Sequence, residues 1–283
     1  MGSEATLKLP VIDFTNLKLE ANNPNWEAVK SQVHKALVDY GCFEAIFDKV
    51  PLELRKAIFA ALQELFDLPL QTKILNVSKK PYHGYVGQYP MENVENMTNI
   101  MWPHGNPSFG HVPIKIKAIQ SFSEQLSELD QIIRKMILES LGVEEYLEEH
   151  MNSTNYLLRN IVTILYQNEV EGLEVMNKDG KWISYKPSPD SFVVMIGDSL
   201  HAWSNGRLHS PFHRVIMSGN EARYSAGLFS IPKGGSIIKA PEELVDEEHP
   251  LLFKPFDHVE FLKSYYTEQG QRDQSALRTY CGV

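Results

Sequence analysis

Apolar residues at Leu9-Pro10-Val11-Ile12-Asp13-Phe14 predict a short β-strand, and Asn/Pro punctuation separates it from Trp26 to Tyr40, where Val29, Val33, Leu37 and Val38 recur at helical spacing. Cys42 to Phe47 reads as a second strand. A second helix is expected from Pro51 to Phe66, with proline in its first turn and Leu54, Ile58, Leu62 and Leu65 along one face. Asn76 to Asn106 turns to Pro, Gly, Tyr, His and Asn, which is loop chemistry, before Phe122 to Leu141 returns to an amphipathic helix carrying Leu126, Leu129, Ile133, Met136 and Ile137.

The second half changes period. Apolar, β-branched runs stand at Ile161 to Tyr166, Leu173 to Val175, Trp182 to Tyr185, Phe192 to Ile196, Arg214 to Met217 and Tyr224 to Ile231, separated by Gly, Asn, Asp and Pro. Asn177-Lys178-Asp179-Gly180 between two of them is a hairpin signal, because Asp-Gly supplies the φ > 0 positions that the turn needs. The pattern predicts an α+β chain: a jelly-roll-like double sheet with N-terminal and flanking helices. The expected division is a mostly helical region over 1–115, then a bridging helix and the jelly roll over 116–283.

Composition narrows the chemistry. The 283 residues carry a net charge of −9 and no Lys/Arg-rich run, so neither nucleic acid nor an anionic membrane surface is an expected partner, and a small molecule is. Cys42 and Cys281 are far apart and lack metal-type spacing, which fits a reducing compartment. No apolar run approaches membrane-spanning length and no secretory signal is visible, so the expected location is cytoplasmic. Oligomeric state is not legible. Glu144, Glu145, Glu148 and Glu149 read as exposed helix surface, His201 and His209 as loop or rim residues, and His258 with Glu260 as a solvated face near the C-terminus.

The densest cluster of chemistry-bearing residues runs from Gly197-Asp198 through Trp203-Ser204-Asn205-Gly206 to His213, followed by Arg223-Tyr224-Ser225. In an extended strand Arg223, Ser225, Gly227 and Phe229 share one face. If the strands holding Arg214 to Met217 and Arg223 to Phe229 are antiparallel neighbours, one register sets His213 on that face and the other parity removes it.

These residues closely resemble the C-terminal half of plant 2-oxoglutarate- and Fe(II)-dependent dioxygenases. The likeness continues through Leu9-Pro10-Val11-Ile12-Asp13, Tyr82-His83-Gly84-Tyr85, Gly172-Leu173-Glu174-Val175 and Asp179-Gly180-Lys181-Trp182, and its wording is nearest to the branch related to the alkenyl hydroxalkyl producing enzymes. The resemblance implies a double-stranded β-helix that holds Fe(II) by two His and one carboxylate, with 2-oxoglutarate as co-substrate. It makes His213 a metal ligand, Arg223 the grip on the far carboxylate of 2-oxoglutarate in a charge-assisted pair, Ser225 a further donor to it and Phe229 a wall of the substrate pocket. A small plant specialised metabolite is the implied substrate.

The chain departs from that pattern at one point. The family carries a His-x-Asp pair just before the strand that starts here at Ile161, yet no histidine of this chain has an aspartate two positions on. Only His258-Val259-Glu260 has a carboxylate there, and it follows the β-rich part. Leu157-Leu158-Arg159-Asn160-Ile161 reads as a compressed join, a second shortening falls near Met91-Glu92, and Gly110 to Ile119 reads as foreign sequence. Loss even of partners behind the ligands costs about 10–100-fold in metal affinity or activity. The expectation is therefore a family member that is impaired or inactive as written; the alternative is a non-catalytic pseudoenzyme or small-molecule binding protein from an altered transcript.

Overall fold

The computed structural model describes residues 7–15, 17, 24–76, 84–88, 98–101, 116–156, 161–218, 220–233 and 235–282. The first apolar stretches form β1 (Val11–Asp13), α1 (Trp26–Asp39), β2 (Cys42–Ile46) and α2 (Leu52–Phe66). Helix α1 buries Trp26, Val29, Val33, Ala36 and Leu37, close to the stripe its spacing predicts. It gives way to β2 at Gly41, which has φ +68° and where a Cβ would lie 2.1 Å from the His209 carbonyl oxygen. Glycine there serves both the left-handed turn and the close approach. Pro51 is the N-cap of α2.

After the single-turn α3 (Leu70–Lys73), β3 (Gly84–Gln88) pairs antiparallel with β4 (Thr98–Met101), with a register shift between Tyr85 and Gly87. This corrects the expectation of loop throughout Asn76 to Asn106. Two short strands with a register shift between them carry no clean alternation to mark them in the sequence. Helix α4 (Ile116–Leu141) starts ahead of the predicted Phe122. Beyond it come α5 (Leu147–Asn152), β5 (Thr154–Tyr156), β6 (Val162–Gln167), β7 (Leu173–Met176), β8 (Trp182–Ser184) and β9 (Ser191–Ile196). The chain continues through α6 (Asp198–Trp203), β10 (His213–Val215), β11 (Ser225–Pro232), β12 (Ile237–Ile238), β13 (Phe256–Asp257), α7 (His258–Tyr265), α8 (Glu268–Arg272) and α9 (Ala276–Cys281).

Two sheets make the double layer. One is six-stranded in the order β1-β2-β9-β6-β11-β5, antiparallel except for the β1–β2 pair; the other is three-stranded, β10-β7-β8. Between the layers Leu173, Val175, Ile183 and Tyr185 pack against Cys42, Val193 and Met195, with Leu165 alongside. The opposite face of the larger sheet presents Phe43, Val162, Ile164, Tyr166, Phe192, Val194 and Leu228 to the apolar stripes of α1 and α4. The architecture is the expected α+β jelly roll with flanking helices. Strands β1 and β2 belong to the larger sheet, and one apolar cluster draws on residues from both sides of residue 115.

A buried polar pin ties α4 to this sheet. Arg134 Nη2 lies 2.6 Å from Asp130 Oδ2, and the Ser230 hydroxyl of β11 donates to Asp130 Oδ1 at 2.6 Å. Burial pushes the Asp130 carboxyl above its ordinary pKa, opposed by the Arg134 charge and the Ser230 hydrogen bond. The hairpin between β7 and β8 forms where predicted, but Gly180 alone of the Asp-Gly pair takes positive φ, at +76°; the turn is held instead by Asn177 Oδ1, which accepts from the backbone N–H of Asp179 at 3.1 Å and of Lys181 at 2.9 Å.

Candidate functional site

Strand parity decides what faces the space between the layers. Gly227 pairs with Leu165, which packs into the interlayer cluster, so Ser225, Gly227 and Phe229 share that side of the larger sheet. Ala226 and Leu228 face the helices. From the smaller sheet His213 pairs with Val175, another interlayer residue, and stands on the same side. The conditional placement drawn from sequence is therefore corrected in its premise: β10 pairs with β7, β11 pairs with β6, and the two strands are not neighbours. His213 and Ser225 meet the same space from opposite walls.

Arg223 lies just ahead of β11 and is half-buried. Its Nη2 donates to Gln167 Oε1 at 2.6 Å, while its buried Nε has no hydrogen-bond partner. Burial pushes the guanidinium below its ordinary pKa. A Cβ on Gly172 would lie 3.4 Å from Arg223 Cδ and 3.1 Å from Met217 Sδ, so the arginine stem runs across the end of the smaller sheet. Gly172 O accepts from the Ile216 N–H at 2.8 Å, which extends the β7–β10 ladder to that level. His213 sits at the level of Val175, three residues further along β7, or about 10 Å of extended strand. The space thus has a cationic end at Arg223 and an imidazole one short molecule's length away.

Ser225 opens β11 opposite Gln167 and is half-buried. The Phe229 ring folds back along the strand, with Cε2 at 2.5 Å from where a Cβ on Gly227 would be. His213 is exposed, and its Nδ1 lies 3.3 Å from the Pro211 carbonyl oxygen. On the outer face Arg214 Nε donates to Glu174 Oε2 at 2.7 Å, and this bond holds the Glu174 carboxyl below its usual range.

His201, His209 and His258 take places in the packing of the fold. His201 Nδ1 contacts the Leu208 carbonyl oxygen at 2.5 Å and its ring packs on Phe253; His209 is half-buried, and burial lowers its pKa. His258 corrects its expected solvated place. It is 1% exposed, with Nδ1 2.8 Å from the Ser199 hydroxyl, because α7 turns its first residue into the apolar cluster of Phe253, Phe256 and Phe261, while Glu260 stays outside and pairs with Lys263. The four clustered glutamates, Glu144 to Glu149, are exposed as predicted. Gln167 is not among the sequence-based candidates: it lies one residue beyond the predicted Ile161–Tyr166 run, and its pairing with Ser225 is not legible in the sequence. Tyr82-His83, the Leu157–Asn160 part of the join, Met91-Glu92 and Gly110 to Pro113 lie outside the described residues.

A double-stranded β-helix with a guanidinium and an imidazole facing one interlayer space is the architecture of oxygenases that pair a metal with a dicarboxylate. Residues 143–232 match the 2OG-Fe(II) oxygenase superfamily, and residues 9–104 match the N-terminal model described as non-haem dioxygenase in morphine synthesis. An Arabidopsis thaliana protein named "Probable 2-oxoglutarate-dependent dioxygenase AOP1.2" is 48% identical over 314 residues, covering 97% of this chain and 96% of the relative. The rice dioxygenase for auxin oxidation shares the fold with a TM-score of 0.74 and 25% identity over 96% of this chain and 99% of that one. A JOX2 complex with 2OG, Fe and JA superposes with a TM-score of 0.78 at 23% identity, over 98% of this chain and 90% of that one. The chain belongs to the 2-oxoglutarate-dependent dioxygenase family, in the branch of the AOP1 proteins.

The family's cofactors are Fe(II) and 2-oxoglutarate. The residues fit them unequally. Arg223, with a buried unpartnered Nε, and the neighbouring Ser225 suit a carboxylate. For iron, no group of three or more His, Cys, Asp or Glu side chains that could hold a metal ion occurs among the described residues, so the donor set among them does not fit. No helix among them is long and apolar enough to cross a membrane.

Proposed function

We propose that this chain keeps the carboxylate-binding half of a dioxygenase site and lacks the iron-holding half. In this reading Arg223 and Ser225 receive the distal carboxylate of 2-oxoglutarate, His213 is the remaining imidazole of the metal set, and Phe229 walls the side where a small plant metabolite would enter. Oxidation of that metabolite is impaired or absent. The observation that carries the reading is the donor set: no His-x-Asp occurs anywhere in the sequence, and one imidazole does not cage a divalent cation.

Two further facts support it. The alignment with the AOP1.2 relative spans 314 positions, more than the 283 residues of this chain, so the relative has residues opposite which this chain has none. A second relative, 33% identical, is named "Probable inactive 2-oxoglutarate-dependent dioxygenase AOP2". Two buried, free cysteines suit a reducing cytoplasm.

The 48% identity to the AOP1.2 relative favours a second reading, an active oxygenase of small metabolites. One pair of measurements separates the two. Anaerobic titration with Fe(II) and an assay of succinate release from 2-oxoglutarate are expected to give no tight, stoichiometric iron binding and no turnover above a no-protein blank. Tight iron binding lost in His213→Ala, or sustained succinate release, overturns the impaired reading and supports the second.

A further inference from the structure

Gln167, the last residue of β6, is 4% exposed and lies opposite Ser225 on the wall of the interlayer space. Its side chain works at both ends. Oε1 accepts from Arg223 Nη2 at 2.6 Å, and Nε2 donates to the Val170 carbonyl oxygen at 3.0 Å. This settles which way the amide points, because the reversed amide would set donor against donor at Arg223 and acceptor against acceptor at Val170. The Val170 carbonyl therefore orients Gln167, and Gln167 orients the guanidinium.

We infer that Gln167 is a positioning residue: it holds the Arg223 guanidinium in place as an uncharged acceptor, so that the full positive charge remains for a carboxylate in the interlayer space. This rests on the reading that Arg223 receives a carboxylate. A buried guanidinium needs a partner to stay in one orientation, and a carboxylate is the stronger one. A carboxylate at position 167 would also consume the charge: the resulting pair is neutral overall, and an incoming anion would meet a like charge beside its intended partner. Glutamine has nearly the same shape, keeps the hydrogen bond and leaves the cation unneutralised.

The test is a titration of the iron-free protein with 2-oxoglutarate, followed by ligand-observed NMR, beside thermal unfolding of each variant. Wild type is expected to bind in the millimolar range and Arg223→Met to lose measurable binding. Gln167→Glu, which keeps the acceptor for Arg223 but sets a carboxylate oxygen against the Val170 carbonyl, is expected to lower affinity at least ten-fold while lowering Tm no more than Gln167→Met does, a split that a merely structural role would not produce. Gln167→Met, which has no strong acceptor, is expected to weaken binding several-fold and decides the matter if the glutamate variant does not fold. Wild-type affinity in Gln167→Glu, or in Gln167→Met where only that variant folds, overturns the inference while leaving Arg223 as the carboxylate site. No binding by wild type, or unchanged binding in Arg223→Met, overturns the reading beneath it.

Discussion

Moving the protein from neutral pH to about pH 5 is expected to weaken it through one imidazole, His150 of α5. The ring is 6% exposed and packs 5.2 Å, centroid to centroid, from Trp203. Burial, reinforced by the nearby Arg134 charge, pushes its pKa down from 6.5 to about 3. A histidine with a folded pKa below its unfolded one contributes stability that is whole above pH 6.5 and drains away as the pH falls toward 3. At about pH 5 the unfolded chain binds this proton almost fully and the folded chain hardly at all, so roughly 1.5 pH units at 1.36 kcal/mol each cost about 2 kcal/mol. Urea unfolding at pH 7 and pH 5, on wild type and His150→Phe, isolates the group, since phenylalanine keeps the contact with Trp203 and cannot titrate. The expected result is about 2 kcal/mol more acid loss in wild type than in the variant. Equal losses, within about 0.5 kcal/mol, would refute the placement of a neutral, buried His150.

Three other outcomes follow from the packing. Asp130→Ala strands the buried Arg134 cation and the Ser230 hydroxyl, and is expected to cost about 3–5 kcal/mol in urea unfolding; a loss below about 1 kcal/mol would mean that the pin between α4 and β11 bears little. Gly227→Ala puts a Cβ 2.5 Å from Phe229 Cε2, so the ring must swing off the strand; this is checked by the Phe229 ring resonances, and unchanged shifts would contradict the folded-back ring. Burial pushes the Cys42 thiol up to about 12, so iodoacetamide near pH 8 should label it at least ~100-fold more slowly in the folded chain than in urea. Equal labelling rates, read by peptide mass, would count against that burial.

Comparison of particular elements separates local from distant causes. Helix α1 and the β7–β8 hairpin were legible because a buried stripe at helical spacing and an Asp-Gly turn are written within a few residues. The β3–β4 pair was not, since short irregular strands acquire a period only from each other. His258 misled because a polar residue opening a helix says nothing of the aromatic cluster that α7 turns it into. At the site, the shared face of Ser225, Gly227 and Phe229 followed from the two-residue period of a strand.

The sequence alone determined the family, the alternation that makes a double sheet, the identity of His213, Arg223, Ser225 and Phe229 as candidates, and the absence of a His-x-Asp pair, because each resides in residue type and near spacing. Only the tertiary structure decided that β10 and β11 lie in different layers, that His213 and Ser225 face the interlayer side from opposite sheets, and that Gln167 accepts from the Arg223 guanidinium. Strand partners are chosen by long-range burial and register, and a pattern of period two is compatible with several pairings until the layers close on one another.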